Sequence, residues 1–466
     1  MFAIPGIVLL LTAIYARPQE LVPSLQTLPL LHVLLGLAVF GYVIDLRLGN
    51  TKPSSTPLLP WVLAFVGWGL LSGITKASSL PIQARELAIC AALYLLMAHA
   101  VQSFRALQVV AGTVLAMVIF VSTVAVEQKL EPTGCVQIDE SVVGDTTSGS
   151  FDERPCTVSH DCYLGEAEPG AEYMCEHIGW LGTTSVGRGR IRFRGILQDP
   201  NELALAGAIG LPLAFALSRL RRRSFSRKAV LLLTFALVVL AAVWSRSRGG
   251  QIVFLAVLAV PFAWRFGLRG VALSALFAAP LLLLGGRSGS EADSSMLERV
   301  DCWAEALSIW RSFPLLGAGL GQFGRYHYLT AHNSYLLTLA ELGPVGMFLF
   351  SSLVWMGFKI PISAWRKSED PDSALSREDA RDVVRPWAMA ITATFAGLGV
   401  GIFFLSFAYH YVLWIYLGLS GALFSAIRRH APDFAVRYGM RDALGVIAAN
   451  GVIIAVVYVY TRLVLS

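Results

Sequence analysis

Arginine side chains recur at every second position in the stretch that precedes Pro200. Arg188, Arg190, Arg192 and Arg194 are spaced by two, so in an extended segment all four point to the same side. A guanidinium group offers a planar fork of donors that matches the oxygens of a phosphate. The pattern therefore predicts a site for an anionic ligand such as a diphosphate, with anchoring to lipid headgroups as the alternative.

Two further pairs of residues outside that stretch could act on the same ligand. Arg246 and Arg248 border a short turn between two apolar runs, and His332 and Asn333 stand immediately before another. A neutral imidazole can accept a proton from a hydroxyl group, and nearby arginines would favour that neutral form. His332 is therefore a candidate general base, with a structural role at the start of the apolar run as the alternative.

The segment before His332 combines an amphipathic pattern with a glycine-rich stretch. Apolar side chains recur there at spacings of four and three, which predicts a helix lying on the outer membrane surface. These side chains are Met296, Val300, Trp303, Leu307 and Trp310. The stretch 317–324 contains a GxGxxG match, but no strand precedes it and no βαβ unit follows. A dinucleotide site is therefore rejected, and a flexible re-entrant or hairpin connection is predicted.

The elements that must position these residues are apolar helices. The chain has 466 residues, of which 55% are hydrophobic and 15% charged, and its mean hydropathy is +0.62. Soluble domains carry about 25% charged residues. We therefore predict an all-α, polytopic integral membrane protein with about 12 to 14 transmembrane helices. The candidate spans are 3–16, 28–44, 58–75, 87–102, 106–126, 200–218, 229–245, 251–266, 269–285, 334–357, 387–408, 410–427 and 443–463.

Basic residues in the connecting loops predict the orientation of these spans. The loops 219–228, 359–385 and 428–441 are rich in arginine and lysine, so the positive-inside rule assigns them to the cytoplasm. The segments that then lie outside are 127–199, 246–250 and 286–333. All candidate site residues would face the outside, and the net charge of +6 would reflect orientation and not nucleic-acid binding.

Four of the six cysteines fall in one polar segment that is predicted to lie outside. They are Cys135, Cys156, Cys162 and Cys175. Clustered cysteines in an oxidising compartment predict two disulfides, and the sequence leaves all three pairings open. Zinc binding is the alternative, because histidines lie among these cysteines, although their spacing is not that of a known zinc finger.

Three motifs in a fixed order resemble the O-antigen ligase and O-antigen polymerase superfamily. They are Arg192-x-x-Gly195 with Asp199-Pro200-Asn201, then Ser247-Arg248-Gly249-Gly250, then His332-Asn333 followed by Gly343-x-x-Gly346. The motifs fall within 185–360, and the resemblance in architecture extends over the whole chain. Each motif alone is unspecific, so the resemblance depends on their order and on their common outer side.

The resemblance implies a metal-independent membrane glycosyltransferase with a GT-C-like helical fold. Members of the family use undecaprenyl-diphosphate-linked glycans as donors, so no metal or other cofactor is expected. The implied roles are diphosphate binding by Arg192, Arg194 and Arg248 and catalysis at the acceptor hydroxyl by His332. The supporting motif residues are Gly195, Asn201, Asn333 and Glu341.

The spans and loops together predict the organisation of the chain. An N-terminal transmembrane bundle, 1–126, precedes the cysteine-containing outer loop, 127–199, which ends in the arginine-rich segment. Central transmembrane helices, 200–285, are followed by the outer loop with the amphipathic helix, 286–333, and by C-terminal transmembrane helices, 334–466. The expected location is the bacterial inner membrane, with the active site facing the periplasm.

The favoured function is polymerisation of undecaprenyl-diphosphate-linked repeat units of an O-antigen or exopolysaccharide. The alternative within the family is an O-antigen ligase, which transfers the finished glycan to lipid A–core. A flippase or transporter of lipid-linked glycans is the alternative from another class, but repeated halves and polar residues at mid-membrane are not evident. Expected partners are the lipid-linked glycan, the bilayer, a chain-length regulator and a flippase, and not nucleic acid.

Overall fold

The protein is described by a computed structural model that covers most of the chain. The residues outside the description are 75–79, 139–150, 165–169, 188, 194–196, 198, 220–224, 285–289, 372–373 and 466. Three arginine-motif residues, Arg188, Arg194 and Gly195, therefore lie outside the described residues.

Apolar helices make up most of the described chain, which confirms the prediction of an all-α polytopic membrane protein. The helices are α1 (Ala3–Ala16), α2 (Pro18–Leu21), α3 (Leu30–Arg47), α4 (Leu59–Gly73), α5 (Leu80–Ala100), α6 (Phe104–Gln128), α7 (Pro200–Arg219), α8 (Phe225–Trp244), α9 (Arg248–Phe266), α10 (Leu268–Leu284), α11 (Ser290–Ser312), α12 (Ser334–Glu369), α13 (Arg377–Asp379), α14 (Arg385–Gly401), α15 (Tyr411–His430) and α16 (Met440–Leu465). Among the described residues, ten helical segments are long and apolar enough to cross a membrane, and α1 and α4 are shorter apolar helices. Every predicted span overlaps one of the helices α1 to α16, and the span 269–285 overlaps α10, which is not among these twelve.

Helix α15 lies in the interior of the bundle, where small residues let it approach α5 closely. A Cβ atom added at Gly418 would lie 2.6 Å from the Cβ of Met97, and one at Gly421 would lie 2.5 Å from that of Ala98. Small residues allow such close helix packing in membranes, where van der Waals contact drives association. Trp414 on the same helix is fully buried. The core is thus built around the pair of helices α5 and α15.

The connections between helices gather at two opposite ends of the bundle. The loop end carries 245–247, 313–333, 402–410 and the described parts of 129–193, and the basic end carries 48–58, 431–439 and the described parts of 359–384. At the loop end the Ser334 N–H donates to the Ile402 carbonyl at 2.8 Å, and at the basic end the Gln102 amide donates to the Lys52 carbonyl at 2.6 Å. Lys367 also forms an ion pair with Asp433 at 2.9 Å, so the described parts of two loops that are predicted to be cytoplasmic, 359–385 and 428–441, share one end.

The cysteine-containing segment folds into a small antiparallel sheet, which the sequence analysis did not predict. Its strands are β1 (Thr133–Ile138), β2 (Phe151–Pro155) and β3 (Glu172–His177), in the order β2-β1-β3. One disulfide joins Cys135 to Cys162 and another joins Cys156 to Cys175. All four thiols are used in these bridges, so the zinc alternative has no cysteine ligands in this segment.

The amphipathic segment forms helix α11, but its apolar face does not lie free on a membrane surface as predicted. Val300, Trp303 and Leu307 are buried, and the helix packs against α12 and α16. Met296, at the edge of the stripe, is exposed. Neighbouring helices, and not lipid, cover the apolar stripe of α11.

The glycine-rich stretch is docked against helix α12, which corrects the prediction of a flexible connection. The Ala318 N–H donates to the Ala340 carbonyl at 2.8 Å, and the Gly319 N–H donates to the Glu341 carbonyl at 2.9 Å. These carbonyls are available because α12 is interrupted at Gly343, whose φ is 69°. At Gly317 an added Cβ would lie 2.3 Å from the carbonyl carbon of Glu341, so only glycine fits there.

Candidate functional site

A polar network joins the start of α7 to the turn before α9. Asn201 donates its side-chain amide to the Asp199 carboxylate at 2.7 Å and accepts the Ser247 hydroxyl at 2.6 Å. Ser247 also caps α9, because its oxygen accepts the Gly250 N–H at 2.9 Å. An added Cβ at Gly250 would lie 2.3 Å from the Cβ of Ala204, so glycine is required for this approach. The predicted supporting residue Asn201 therefore links two of the three motifs.

The turn held by this network presents two exposed arginines, Arg246 and Arg248. Arg246 has a left-handed backbone with φ 49°, an uncommon conformation for a residue other than glycine, and such strain often marks a functional site. Burial lowers the pKa of Lys129, and the positive charge of Arg246 lowers it further. Cationic groups from two different segments are thus close together at the loop end.

These arginines line a cavity of about 430 Å³ between α9, α11, α16 and the segment after α14. Its charged and amide-bearing lining residues are Asn201, Arg246, Arg248 and Arg299. Its apolar and aromatic lining residues are Ile252, Met296, Val300, Trp303, Phe403, Phe404, Val456, Val457 and Tyr460. The cavity therefore combines a cationic rim with apolar walls, which suits an amphipathic anion with a hydrocarbon tail.

The candidate base His332 is half-buried beside the charged rim and has a left-handed backbone, with φ 46°. Burial, followed by the positive charge of Arg299, lowers the pKa of His332 to about 4, and the Asp199 carboxylate acts in the opposite direction. Asn333 then caps α12, because its side-chain oxygen accepts the Tyr335 N–H at 3.0 Å. His332 is therefore neutral at physiological pH, the form that a general base requires.

Glu341 positions the loop that leads to the histidine. Its carboxylate accepts the Gly321 N–H and the Phe323 N–H, both at 3.0 Å, and the side chain is buried. Hydrogen bonds from two successive parts of the loop fix its path over α12. Glu341, which the family motif marked as a supporting residue, therefore acts through the loop and lies outside the cavity lining.

The structure separates Arg192 from the cavity, although the motif predicted it as a diphosphate ligand. Arg192 is only 4% exposed, and its guanidinium donates to the Thr184 carbonyl at 2.9 Å and to the Thr184 hydroxyl at 3.0 Å. Ile191 and Phe193 on either side are fully buried, so the whole segment is enclosed. Burial of Arg192 together with its two apolar neighbours explains why spacing alone could not identify which arginines are accessible.

Sequence reasoning overlooked two residues of α11. Arg299 lines the cavity, and its signal was an arginine placed directly beside the apolar stripe. Asp301 accepts from the Nε2 atom of His327 at 3.1 Å, and the Leu329 N–H donates to Nδ1 of the same ring at 3.0 Å. After burial and Arg299, His327 also contributes to the lowered pKa of His332. Helix α11 therefore supplies part of the electrostatic setting of the base.

The fold and the site together define a class: a polytopic helical membrane protein with a cationic, apolar-walled cavity and a neutral histidine at one end. Residues 233–351 match the family model for O-antigen ligases. This region of the chain contains Arg248, Arg299, His332 and Glu341. This match confirms the resemblance to the O-antigen ligase and O-antigen polymerase superfamily that the three motifs predicted. It supports a glycosyltransferase function of the ligase or polymerase type. No curated protein matches the chain.

Proposed function

We propose that the protein polymerises glycan repeat units carried on undecaprenyl diphosphate. The single observation that carries this proposal is the cavity whose rim holds Arg246, Arg248 and Arg299 and lies beside a neutral His332. A lipid-linked donor needs cations for its diphosphate and apolar walls for its hydrocarbon chain, and the cavity offers both. The bilayer supplies this donor laterally.

The three rim arginines bind the donor diphosphate in this proposal, with Arg248 as the principal ligand. Guanidinium groups can form paired hydrogen bonds to phosphate oxygens, and several of them neutralise a diphosphate without a metal ion. Arg192 instead positions the neighbouring backbone through its contacts with Thr184. Arg194 keeps its predicted assisting role as part of the proposal.

The transfer step requires one base and a stabilised leaving group. The acceptor hydroxyl gives its proton to His332, and its oxygen forms a bond to the anomeric carbon of the donor glycan. The bond from that carbon to the diphosphate oxygen breaks, and undecaprenyl diphosphate departs with the electron pair. The arginines stabilise the charge that develops on this leaving group, which is where catalysis gains most.

The loop end faces the periplasm of a bacterial inner membrane in this proposal. Basic residues concentrate at the opposite end, as the positive-inside rule expects for the cytoplasm. The two disulfides at the loop end also suit an oxidising compartment. A flippase must then deliver each lipid-linked unit to this side, and a chain-length regulator is the expected partner of a polymerase.

An O-antigen ligase is the second candidate, because the family model that matches is the one described for that activity. The donor and the chemistry are the same in both candidates. They differ in the acceptor, which is a lipid-linked repeat unit for a polymerase and lipid A–core for a ligase. The arginine rim and His332 serve either acceptor, so the products must decide.

Glycan profiling of a deletion strain tests the proposal. Loss of a polymerase leaves single repeat units where polymer is normally found, and the wild-type protein restores the polymer. His332→Gln should be normally abundant and lose transfer by about 100- to 10,000-fold. His430→Gln, at the basic end, is the matched control and should restore the polymer.

Two results would contradict the proposal in different ways. Long polymer that accumulates on the lipid carrier in the deletion strain identifies a ligase. Full restoration of the polymer by His332→Gln removes this histidine from the mechanism.

A further inference from the structure

A second and larger cavity, of about 700 Å³, lies between α12, α14 and α16. Its volume falls in the range of ligand-binding pockets. The residues that line it are Tyr335, Ser351, Val354, Trp355, Phe358, Phe395, Ala396, Gly399, Val400, Arg441, Asp442, Gly445, Val446, Ala449, Asn450 and Ile453. Most of these are apolar, and the charged ones stand together at the basic end of the bundle, so the cavity has an apolar body and a charged mouth.

The mouth of this cavity carries a net positive charge, because Lys359 and Asp442 neutralise each other and Arg441 remains. The Asp442 carboxylate accepts Lys359 Nζ at 2.6 Å, Trp355 Nε1 at 2.8 Å and the Gly439 N–H at 2.7 Å. Arg441 is exposed and lines the same mouth, and no hydrogen bond or ion pair of its guanidinium occurs among the described residues. Arg441 is therefore available to an anionic ligand.

The cavity is long enough to hold an acyl chain. Along α16 its lining runs from Arg441 to Ile453, and twelve helical residues correspond to about 18 Å, which exceeds half of a hydrocarbon core of about 30 Å. Tyr335 and Val400 also line it beside segments of the loop end, so the apolar body extends from the basic end towards the loop end. Trp355 at the mouth is typical of side chains at the level of lipid headgroups.

We propose that this cavity, which we name the lipid groove, binds one anionic glycerophospholipid from the leaflet at the basic end. An acyl chain lies along the apolar walls, and the phosphate of the headgroup contacts Arg441. The donor is excluded from this role by position, because its diphosphate belongs at Arg248, at the opposite end of the bundle. Basic pockets between transmembrane helices bind such headgroups through the same chemistry.

The bound lipid would complete the packing of α16. The buried residues of this helix are Val446, Asn450, Val457 and Thr461, a single narrow stripe. The same helix contributes Val456, Val457 and Tyr460 to the wall of the donor cavity. A lipid in the groove therefore supports the helix that shapes the cavity proposed for the donor. This consequence and the exclusion of the donor from the groove both rest on the proposed function.

Native mass spectrometry of the purified full-length protein tests the proposal. Phosphatidylglycerol and phosphatidylcholine with identical acyl chains are added to separate samples in mild detergent. The wild type should retain one phosphatidylglycerol about fivefold more strongly than phosphatidylcholine, and Arg441→Glu should abolish this preference. Ala449→Trp fills the groove and should abolish retention of both lipids.

Ala448→Trp is the matched control, because it adds the same side chain to α16 outside the groove lining, and it should bind lipid like the wild type. Size-exclusion profiles establish that each variant is folded, and Arg441→Glu tests the proposal even if Ala449→Trp is unstable. Equal retention of the two lipids by the wild type would overturn the proposal. So would undiminished retention in Ala449→Trp, or displacement of phosphatidylglycerol by stoichiometric undecaprenyl diphosphate.

Discussion

Two arginine-bearing segments at the loop end carry the same charges but have opposite surroundings. The two segments, 190–193 and 244–250, are joined by hydrogen bonds, because the Ile191 N–H donates to the Trp244 carbonyl at 3.3 Å and the Arg190 guanidinium donates to the Ser245 carbonyl at 3.0 Å. Arg192 in the first segment is buried and donates to Thr184, whereas Arg248 in the second is exposed and lines the cavity that we propose for the donor. The same side chain thus has a structural role in one segment and a ligand-binding role, as we propose, in the other.

Arginines on the outer side of a membrane protein therefore indicate that a binding site is near. They do not show which of these arginines binds the ligand. A buried guanidinium needs hydrogen-bond partners from the protein, and these partners occupy it. An exposed guanidinium on a cavity rim lies where a phosphate can reach it, and its five N–H donors allow several partners at once. Three experiments can separate these two roles.

The largest effect is expected at the turn. Arg248→Ala should reduce transfer by about 100- to 1,000-fold, because it removes a preorganised donor to the leaving diphosphate. Arg248→Lys should recover only part of this loss, because a point charge lacks the paired geometry. Transfer and donor affinity are measured on purified protein, with Arg429→Ala at the basic end as the matched control. Wild-type transfer by Arg248→Ala would refute the assignment.

An intermediate effect of a different kind is expected at Arg192. Arg192→Ala should lower the free energy of unfolding by about 2 to 4 kcal/mol, because Thr184 loses its charged donor and a buried space opens. Abundance and thermal stability should fall, while the folded fraction binds the donor with nearly wild-type affinity. A fully stable Arg192→Ala variant that has lost donor binding would contradict the structural role, since Arg192 would then be a ligand of the donor.

The smallest effect concerns the pH dependence of transfer. His332 acts in its neutral form, so kcat/KM should be constant near neutral pH and fall as the pH drops through about 4. Arg299 lowers the pKa of His332, so Arg299→Gln should raise that pKa and move the acid limb to higher pH by roughly one unit or less. A pH profile of both proteins measures the shift. An unchanged or lower apparent pKa in Arg299→Gln would count against His332 as the base.

The helical architecture was predictable because it depends on composition along the chain. Long apolar runs must be helical in a membrane, where each backbone group needs an internal partner. The three motifs likewise predicted that Asn201, Arg248 and His332 belong together. Their common location follows from the order and direction of the helices, which the charge asymmetry of the loops predicted.

Other features depend on packing that the sequence does not express. In the sequence, Arg299 has the surroundings of a residue on a solvated helix face. It lines the cavity because Val300 and Trp303 are buried against neighbouring helices. The strands of the cysteine-containing segment are short and mixed in polarity, so they lack a clear alternating pattern. The enclosure of Arg192 depends on Thr184, a contact that spacing cannot reveal.

The disulfide-stapled sheet makes the maturation of the loop end dependent on oxidation chemistry in the cell. Strand β3 carries Cys175, and its Glu176 carboxylate accepts the Gly189 N–H at 3.1 Å, just before the segment that packs on the arginine turn. Each disulfide forms when two electrons pass from a pair of thiols to an oxidant. Insertion of the helices alone therefore does not finish this end of the molecule, because an oxidant must also accept the electrons of the four thiols.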